Sequence, residues 1–239
     1  MGYTRPNHPA SPARRPQSRM NHFLETERLA LRQFTEADVD RLCALDSDPD
    51  VMRFINGGTP TPREVVRDRV LPWFMSFYRG DGPLGFWAAL EKASGEFIGW
   101  FGLHPEEGRE PDDLALGYRL RKAFWGRGYA SEGARALIDR AFRDHGARRV
   151  FACTYAENLA SRGVMEKCGM RFVRAYRMTA EEVANSMTSV ATDAVWPADD
   201  VEYALERAEW AKALASDSRR AAHLEPALRS GGADAEDRS

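Results

Sequence analysis

The stretch LGYRLRKAFWGRGYASEGARALIDRAF (Leu116–Phe142) decides the fold of this chain. A strand predicted over Leu114–Leu120 enters a loop with small residues at alternate positions, and a helix predicted over Ser131–Asp144 follows at once. The apolar residues of this helix lie on one face, at the spacing of a helix that packs against a sheet. A strand, a glycine-containing loop and an amphipathic helix in this order indicate an α/β protein.

The loop has the features of a phosphate-binding turn. Its small residues, Gly126, Gly128 and Ala130, let backbone N–H groups approach a ligand closely. The helix that follows offers unpaired donors and a partial positive charge, and Arg121, Lys122 and Arg127 add basic side chains. The loop lacks the third glycine of a dinucleotide-binding GxGxxG motif and the Gly-Lys-Ser/Thr of a Walker loop. A pyrophosphate cradle is the functional interpretation, and a solvated strand-to-helix turn is the alternative.

Strands and helices alternate through the rest of the chain. Strands are predicted at residues 27–34, 85–91, 96–104, 114–120, 147–155, 171–178 and 201–206. Further helices are predicted from Thr35, from a capping box at Thr61–Glu64 to Arg79 with a kink at Pro72, and from Asn158 to Gly169. An irregular loop is predicted over 179–200. The pattern predicts one mixed α/β domain.

Both ends of the chain differ in composition from its middle. Residues 1–20 hold four prolines and four arginines without an acidic residue, and residues 216–239 contain no aromatic residue. Neither segment can bury enough apolar surface to offset the entropy lost on ordering. The sequence therefore predicts a domain over residues 21–215 between disordered tails at 1–20 and 216–239.

Composition excludes several classes of protein. The chain has 239 residues, 34 basic against 36 acidic side chains and a formal net charge of −2, which does not fit a strongly basic nucleic-acid binder. No apolar run is long enough to span a membrane. The three cysteines, Cys43, Cys153 and Cys168, are odd in number and widely spaced, which predicts a reducing cytoplasm and neither a disulfide framework nor a zinc knuckle. No metal site is predicted, because no His, Cys and Asp spacing suggests one.

Two motifs resemble those of a known family. The loop WGRGYA (Trp125–Ala130) resembles motif A of the GNAT superfamily, Q/R-x-x-G-x-G/A, in the W-G-x-G-Y-A form of the ribosomal-protein-alanine N-acetyltransferase-like branch. AENLASRGVMEKCGMRF (Ala156–Phe172) resembles that branch's second signature, N-x-x-S-x-x-V-x-E-K-x-G-F, with Met170 in place of its Phe. The opening LETERLALRQFTEADVDRL is similar to the branch's first strand and helix, and the resemblance covers roughly Phe23 to Trp210.

The resemblance implies a fold, an activity and a set of contacts. The fold is a single GNAT-like α/β (α+β) domain, in which a mixed, mostly antiparallel, twisted sheet of about seven strands carries helices on both faces and two central strands, 114–120 and 149–155, splay apart. The activity is direct transfer of acetyl from acetyl-CoA to a primary amine, without a metal. The residues implied to contact acetyl-CoA are Tyr118, Arg119, Leu120, Arg121, Gly126, Arg127, Gly128, Tyr129, Ala130, Ser131, Asn158 and Ser161.

The same resemblance leaves the general base open. Ser161 is implied as the proton donor to the departing thiolate, with a plain helix serine as the alternative. Many members of the branch have a base, Glu, at the position that is Ala115 here. Asp113 shares its strand face with that position, and His104, with an ordinary pKa near 6.5, ends the neighbouring strand. Asp113, His104 and a chain of water molecules are therefore all candidates.

The acceptor also stays open at this stage. It is a protein N-terminus or a small-molecule amine, and the loop at 179–200 is expected to decide between them. The missing acid at Ala115 keeps a non-catalytic acyl-CoA-binding or regulatory module as an alternative, beside a transferase of another acyl group. Neither a nucleic acid nor a membrane is expected as a partner, and the chain is expected to be a monomer or a homodimer.

Overall fold

An eight-stranded sheet runs through the computed structural model, which describes residues 23–79, 84–177 and 199–216. In chain order the strands are β1 (Leu24–Glu25), β2 (Leu29–Gln33), β3 (Gly85–Glu91), β4 (Phe97–Pro105), β5 (Asp113–Leu120), β6 (Arg149–Tyr155), β7 (Arg171–Tyr176) and β8 (Asp200–Glu206). Their spatial order is β1-β2-β3-β4-β5-β6-β8-β7. The predicted mixed sheet is confirmed, and the short β1, which pairs with β2, is the strand that the sequence pattern did not indicate.

The central strands β5 and β6 separate soon after they begin. All other neighbouring strands are antiparallel, whereas β5 and β6 run parallel and pair only through Asp113–Ala115 and Arg149–Phe151. β5 then continues to Leu120 and β6 to Tyr155 without further pairing between them. The predicted splay is therefore present, and it opens a cleft in the middle of the sheet.

Helices cover both faces of the sheet, as predicted. They are α1 (Val39–Asp46), α2 (Pro49–Asn56), α3 (Arg63–Val65), α4 (Leu71–Ser76), α5 (Tyr129–Asp144) and α6 (Leu159–Lys167), and residues 207–216 are also helical. None of the helices among the described residues is long and apolar enough to cross a membrane.

Alternation along the strands divides the core between the two faces. The face beneath α5 and α6, called the α5 face, contains Leu114, Leu116 and Leu120 of β5. The opposite face, called the α4 face, packs Phe86 and Trp100 against α1–α4. Because successive side chains of a strand point to opposite sides, Ala115, Gly117 and Arg119 lie on the α4 face.

The helix predicted over residues 61–79 differs from the observed one in its start and in the form of its kink. The predicted capping box at Thr61–Glu64 is wrong: α3 begins at Arg63 after Pro62, and the hydroxyl of Thr61 is buried without a hydrogen bond to a described residue. The predicted kink at Pro72 is a π turn, Val66–Val70, directly before α4. This turn absorbs the clash that a proline ring makes with the preceding helical turn.

The helix α2 was not predicted, although its sequence carries the usual signals. The Asp48 side chain accepts a hydrogen bond from the N–H of Asp50, Pro49 occupies the first helical position, and Gly57 ends the helix with a positive φ of 82°. Its buried Val51 and Met52 also lie on one face, so the sequence carried both capping and apolar signals for this helix.

Several predicted segments fall partly or wholly outside the described residues. Of the predicted tails at 1–20 and 216–239, only Ser216 is described, and it lies in the last helical stretch. Of the predicted loop at 179–200, only residues 199 and 200 are described, and Asp200 is already the first residue of β8.

Candidate active site

The cleft between β5 and β6 leads to a helix start that no side chain caps. The backbone turns through Lys122–Phe124, and Gly126 and Gly128 both have positive φ angles, 70° and 84°. Gly128 is the N-cap of α5, and no side-chain hydrogen bond caps this helix end within the described part of the chain. The first N–H groups of a 16-residue helix thus stay available to an anion. The first turn of α5 contains Tyr129, whose side chain is buried, followed by Ala130 and Ser131. The backbone N–H groups of these three residues are the groups that a ligand at this helix end meets.

Trp125 holds the loop against the end of β5. Its Nε1–H donates to the Leu120 carbonyl oxygen at 2.7 Å, and 45% of the residue remains exposed. The resemblance places Gln or Arg at this position in other members of the family, whereas here the indole closes the turn. The tryptophan is therefore a structural part of the loop in this chain.

Arg28, in the β1–β2 turn, contacts the loop and the start of α5, which sequence reasoning missed. Its guanidinium donates to the Arg127 carbonyl oxygen at 2.9 Å and pairs with the Glu132 carboxylate at 2.6 Å. Thr26 also donates to Glu132, at 2.6 Å. Glu132 in the first turn of α5 therefore ties the helix start to the β1–β2 turn, and the available sequence signal was the Ser131-Glu132 pair of the motif. A groove of about 720 Å³ runs along this side of α5.

The basic residues predicted beside the loop are ion-paired with acidic side chains. Arg121 pairs with Glu96, Lys122 pairs with Asp50, and Arg127 lies 3.9 Å from Glu91. These pairs are largely exposed, so water and salt screen them and a phosphate can compete for the cations.

The side chain of Arg119 points away from this loop. On the α4 face it forms an ion pair with the buried Asp46 at 2.7 Å. Only the backbone of Arg119 is therefore left to face the cleft.

A pair of hydroxyl groups bridges the cleft on the α5 face. Tyr118 of β5 lies 3.0 Å from the Ser161 hydroxyl on α6, oxygen to oxygen, and its O–H also contacts the Ser161 carbonyl oxygen at 3.2 Å. Asn158 caps α6 by accepting from the Ser161 N–H at 3.2 Å and donates to the Thr154 hydroxyl at 3.0 Å. Burial raises the pKa of Tyr118, so its phenol stays protonated at neutral pH. The sequence pointed to Ser161 and Asn158 but not to this pairing, which joins residues 43 positions apart.

His104 stands directly opposite Ala115, the position of the missing acid. The two residues are cross-strand partners in β4 and β5, on the α4 face. The Nδ1 atom of His104 lies 2.9 Å from the Pro105 carbonyl oxygen, and because a carbonyl only accepts, Nδ1 carries the proton. Within the described residues, Nε2 has no hydrogen-bond partner, so its lone pair is available.

Burial and aromatic neighbours keep this imidazole neutral. His104 is 9% exposed, and the Trp73, Phe77 and Phe86 rings lie 5.9, 5.8 and 5.0 Å from its own ring, between centroids. Loss of solvation lowers the pKa of His104 below its ordinary value, although the bond to Pro105 opposes the shift. A neutral histidine with a free nitrogen is the form that a general base requires.

Asp113 is held away from such a role. It is 4% exposed, forms an ion pair with Arg148, and lies 3.8 Å from Arg149, which is its pairing partner in β6. It also sits where β5 and β6 are still joined, before the cleft opens. The structure therefore places His104 directly across from Ala115, whereas Asp113 is ion-paired at the end where β5 and β6 are joined.

The cysteines do not form a site. Cys43 is half-buried and Cys168 is buried, whereas Cys153 of β6 is exposed on the α4 face. Across the described ranges 23–79, 84–177 and 199–216, no cluster of His, Cys, Asp and Glu side chains is suited to a metal ion.

A family model described as an acetyltransferase (GNAT) domain matches residues 28–171, from the β1–β2 turn to the start of β7. This match takes in the uncapped loop, the cleft and both sequence motifs. The chain belongs to the GNAT acetyltransferase family. It is an N-acetyltransferase enzyme, and this family takes its acetyl group from acetyl-CoA.

Individual relatives agree with this assignment. FsC-acetyl coenzyme A-N(2)-transacetylase of Aspergillus fumigatus is 35% identical over 160 residues, which cover 64% of this chain and 66% of the relative, just under two thirds of its length. The uncharacterized protein YkkB of Bacillus subtilis is 32% identical over 164 residues, which cover 67% of this chain and 92% of YkkB. A crystal structure of a GNAT-family acetyltransferase from Bacillus anthracis has a TM-score of 0.59 and 24% identity over 77% of this chain and 98% of its own, and it supports the fold.

Proposed function

We propose that this enzyme transfers the acetyl group of acetyl-CoA directly to a primary amine in the cleft between β5 and β6. The observation that carries the proposal is the placement of His104. A neutral imidazole with a free Nε2 stands opposite Ala115 on one side of the cleft, and the Ser161–Tyr118 hydroxyl pair stands on the other. This arrangement offers a base and an acid on opposite faces of the sheet.

The residues that hold acetyl-CoA in this proposal are those of the cleft and the loop. The backbone from Tyr118 to Leu120 faces the pantetheine, since this part of β5 has no partner on its β6 side. The first N–H groups of α5, freed by Gly126 and Gly128, face the pyrophosphate. A backbone N–H aimed at the thioester oxygen stabilises the charge that develops there, by roughly 2.7–4 kcal/mol in comparable sites.

In the proposed reaction, side chains of this enzyme transfer two protons. Acetyl-CoA, when bound, supplies the thioester. His104 Nε2 accepts a proton from the acceptor nitrogen as the new C–N bond forms. The Ser161 hydroxyl donates a proton to the sulfur as the C–S bond breaks, and Tyr118 is close enough to replace that proton. Binding both substrates in one cleft supplies much of the remaining rate increase.

The acceptor is a primary amine of a protein N-terminus or of a small molecule. The names of relatives support acetylation of an amine. The Aspergillus fumigatus relative is named FsC-acetyl coenzyme A-N(2)-transacetylase, and relatives from Bacillus are named N-acetyltransferases. The ribosomal-protein-alanine-like branch, the cytoplasmic location and the monomeric or homodimeric state stay predictions.

A panel assay tests the proposal. Free-thiol release from acetyl-CoA is measured with amino acids, polyamines, aminoglycosides and peptides with free N-termini. Release with one class of amine, above the hydrolysis seen without amine, is the expected result. Stabilisation against heat by CoA and acetyl-CoA, by about 2.7 kcal/mol at a 100-fold excess over Kd, reports binding separately. Binding without turnover of any amine would contradict the transferase and favour a binding module.

We expect Ser161→Ala to lower kcat by about 100-fold, the lower end of the range for general acid–base catalysis, because Tyr118 remains 3.0 Å away as a second O–H group. The KM for acetyl-CoA should change little. Adding Tyr118→Phe removes the second hydroxyl and should lower kcat further. An unchanged kcat in the double variant, measured by thiol release, would remove both residues from the acid role.

A further inference from the structure

A cross-strand row on the α4 face places an acidic side chain between two tyrosines. Asp200 begins β8 and pairs in register with Tyr155 of β6 on one side and with Tyr176 of β7 on the other. Directly opposite residues in antiparallel strands have Cβ atoms about 4.5–5.5 Å apart. The three side chains, called the Tyr-Asp-Tyr row, therefore share one face and stand next to one another.

Asp200 differs sharply from the next acidic residue on the same face of β8. Glu202 is 1% exposed and is paired with three guanidinium groups: Arg149 at 2.7 Å, Arg109 at 2.9 Å and Arg174 at 3.1 Å. Asp200 is 8% exposed, yet no side chain in the described ranges donates a hydrogen bond to it or forms an ion pair with it. Among the described residues, the fold thus supplies three cations to Glu202 and pairs none with Asp200.

The surroundings of Asp200 are acidic as well as apolar. Burial, and after it the carboxylates of Asp199 and Glu157, raise the pKa of Asp200 to about 6. Two cations lie on neighbouring residues but pair elsewhere: Arg177 pairs with Asp199 at 2.9 Å, and Arg174, whose guanidinium lies 4.5 Å from the Tyr176 ring centroid, pairs with Glu202. A buried carboxylate without a partner is unfavourable, and a cation placed beside it relieves that penalty.

The Tyr-Asp-Tyr row lies on the α4 face of the sheet, the face that also carries His104, the proposed base. Phe151 is the last residue of β6 that pairs with β5, and Tyr155 lies four residues further on, on the order of 13 Å along the strand. Both residues, like His104, face the α4 side of the sheet. The row therefore lies beside the β6 wall of the cleft, away from the hydroxyl pair on the α5 face.

We propose that Asp200, flanked by Tyr155 and Tyr176, binds a second positive charge on the acceptor, an ammonium or guanidinium group other than the amine that is acetylated. The carboxylate pairs with that charge. The enzyme would then prefer diamines and other dicationic amines to monoamines. This inference rests on the proposed function, because it names the class of acceptor.

The test compares α,ω-diamines of three to eight carbons with alkyl monoamines of equal length. The wild-type enzyme should show a kcat/KM at least tenfold higher for the diamine at one or more lengths. Asp200→Asn should reduce this ratio to near one, mainly by raising the KM for the diamine. Asp199→Asn is the matched control, since it removes an adjacent carboxylate that is exposed and already paired, and it should keep the preference.

The possible outcomes separate the two proposals. A ratio near one at every length in the wild type, or a preference that Asp200→Asn leaves intact, would overturn the subsite while the transferase stands. Absence of any acetylation would overturn the proposed function instead. In that case, calorimetric binding of the same diamines decides on the subsite: at least tenfold weaker binding to Asp200→Asn supports it, and equal binding, or none to the wild type, refutes it.

Discussion

Replacing His104 by glutamine is expected to lower kcat by about 100- to 10,000-fold, the range that a general base contributes. Glutamine keeps a polar side chain of similar length in this aromatic pocket but offers no basic nitrogen at neutral pH. The Kd for acetyl-CoA should stay the same, because the loop and the α5 N-terminus lie on other elements. Thiol release with the best amine of the panel measures the first quantity, and a thermal shift with acetyl-CoA checks the second.

The cross-strand geometry offers a rescue experiment. Because Ala115 faces His104 directly, Ala115→Glu in the His104→Gln background places a carboxylate about 4.5–5.5 Å away, measured between Cβ atoms. This change restores the acid found in many members of the branch, and it should recover part of the lost kcat. Asp113→Asn is the comparison variant; it breaks a buried ion pair and should reduce stability far more than kcat per folded enzyme. If His104→Gln keeps wild-type kcat, the base is elsewhere.

The second large effect is expected on stability, at Asp38. Its carboxylate is 0% exposed, accepts two hydrogen bonds from Arg32 at 2.7 Å and one each from Arg41 at 2.6 Å and from the Thr35 N–H at 2.9 Å. Asp38→Asn leaves the Arg32 guanidinium buried without its counter-charge, which costs about 3–5 kcal/mol in comparable pairs. Urea unfolding at pH 7 measures the difference from the wild type.

The contribution of Asp38 to the free energy of unfolding is expected to depend on pH. Burial by itself would raise the pKa of Asp38, but the hydrogen bonds from Arg32, Thr35 and Arg41 outweigh it and lower the pKa well below its ordinary value. A lowered folded-state pKa contributes stability above the unfolded value near 3.9, and this contribution is lost as the pH falls below it. The difference between wild type and Asp38→Asn should therefore shrink from pH 7 to pH 3. Asp40→Asn, which alters an exposed pair with Arg63, is the control and should change stability little at either pH.

Local sequence was sufficient for most elements and for the family. Strand patterns and helical periodicity are properties of neighbouring residues, and they located β2 through β8 and α5. Most of these segments bury apolar side chains, whereas β7 is largely exposed. Gly126, Gly128 and Asn158 act through their own backbone or side chain, so their positions in the loop and at the α6 cap were readable from the motifs. Two elements escaped: β1, whose two residues are too few for a pattern, and α2, whose capping residues and apolar face were present in the sequence but were not recognised.

The chemistry of the cleft depended on contacts between distant parts of the chain. Sequence alone left Asp113 and His104 as equal candidates for the base, because both lie near Ala115 along or across the strands. Strand register pairs His104 with Ala115 and Asp113 with Arg149, and this arrangement is why His104 is the base that we propose. The bond from Tyr118 to Ser161 and the contrast between Asp200 and Glu202 likewise arise between separate elements. The sequence by itself determined the elements and the phosphate loop, which follow from local backbone preference and burial. Only the tertiary structure decided which side chains are paired, buried or free, because solvation and ion pairing depend on neighbours that are remote in the chain.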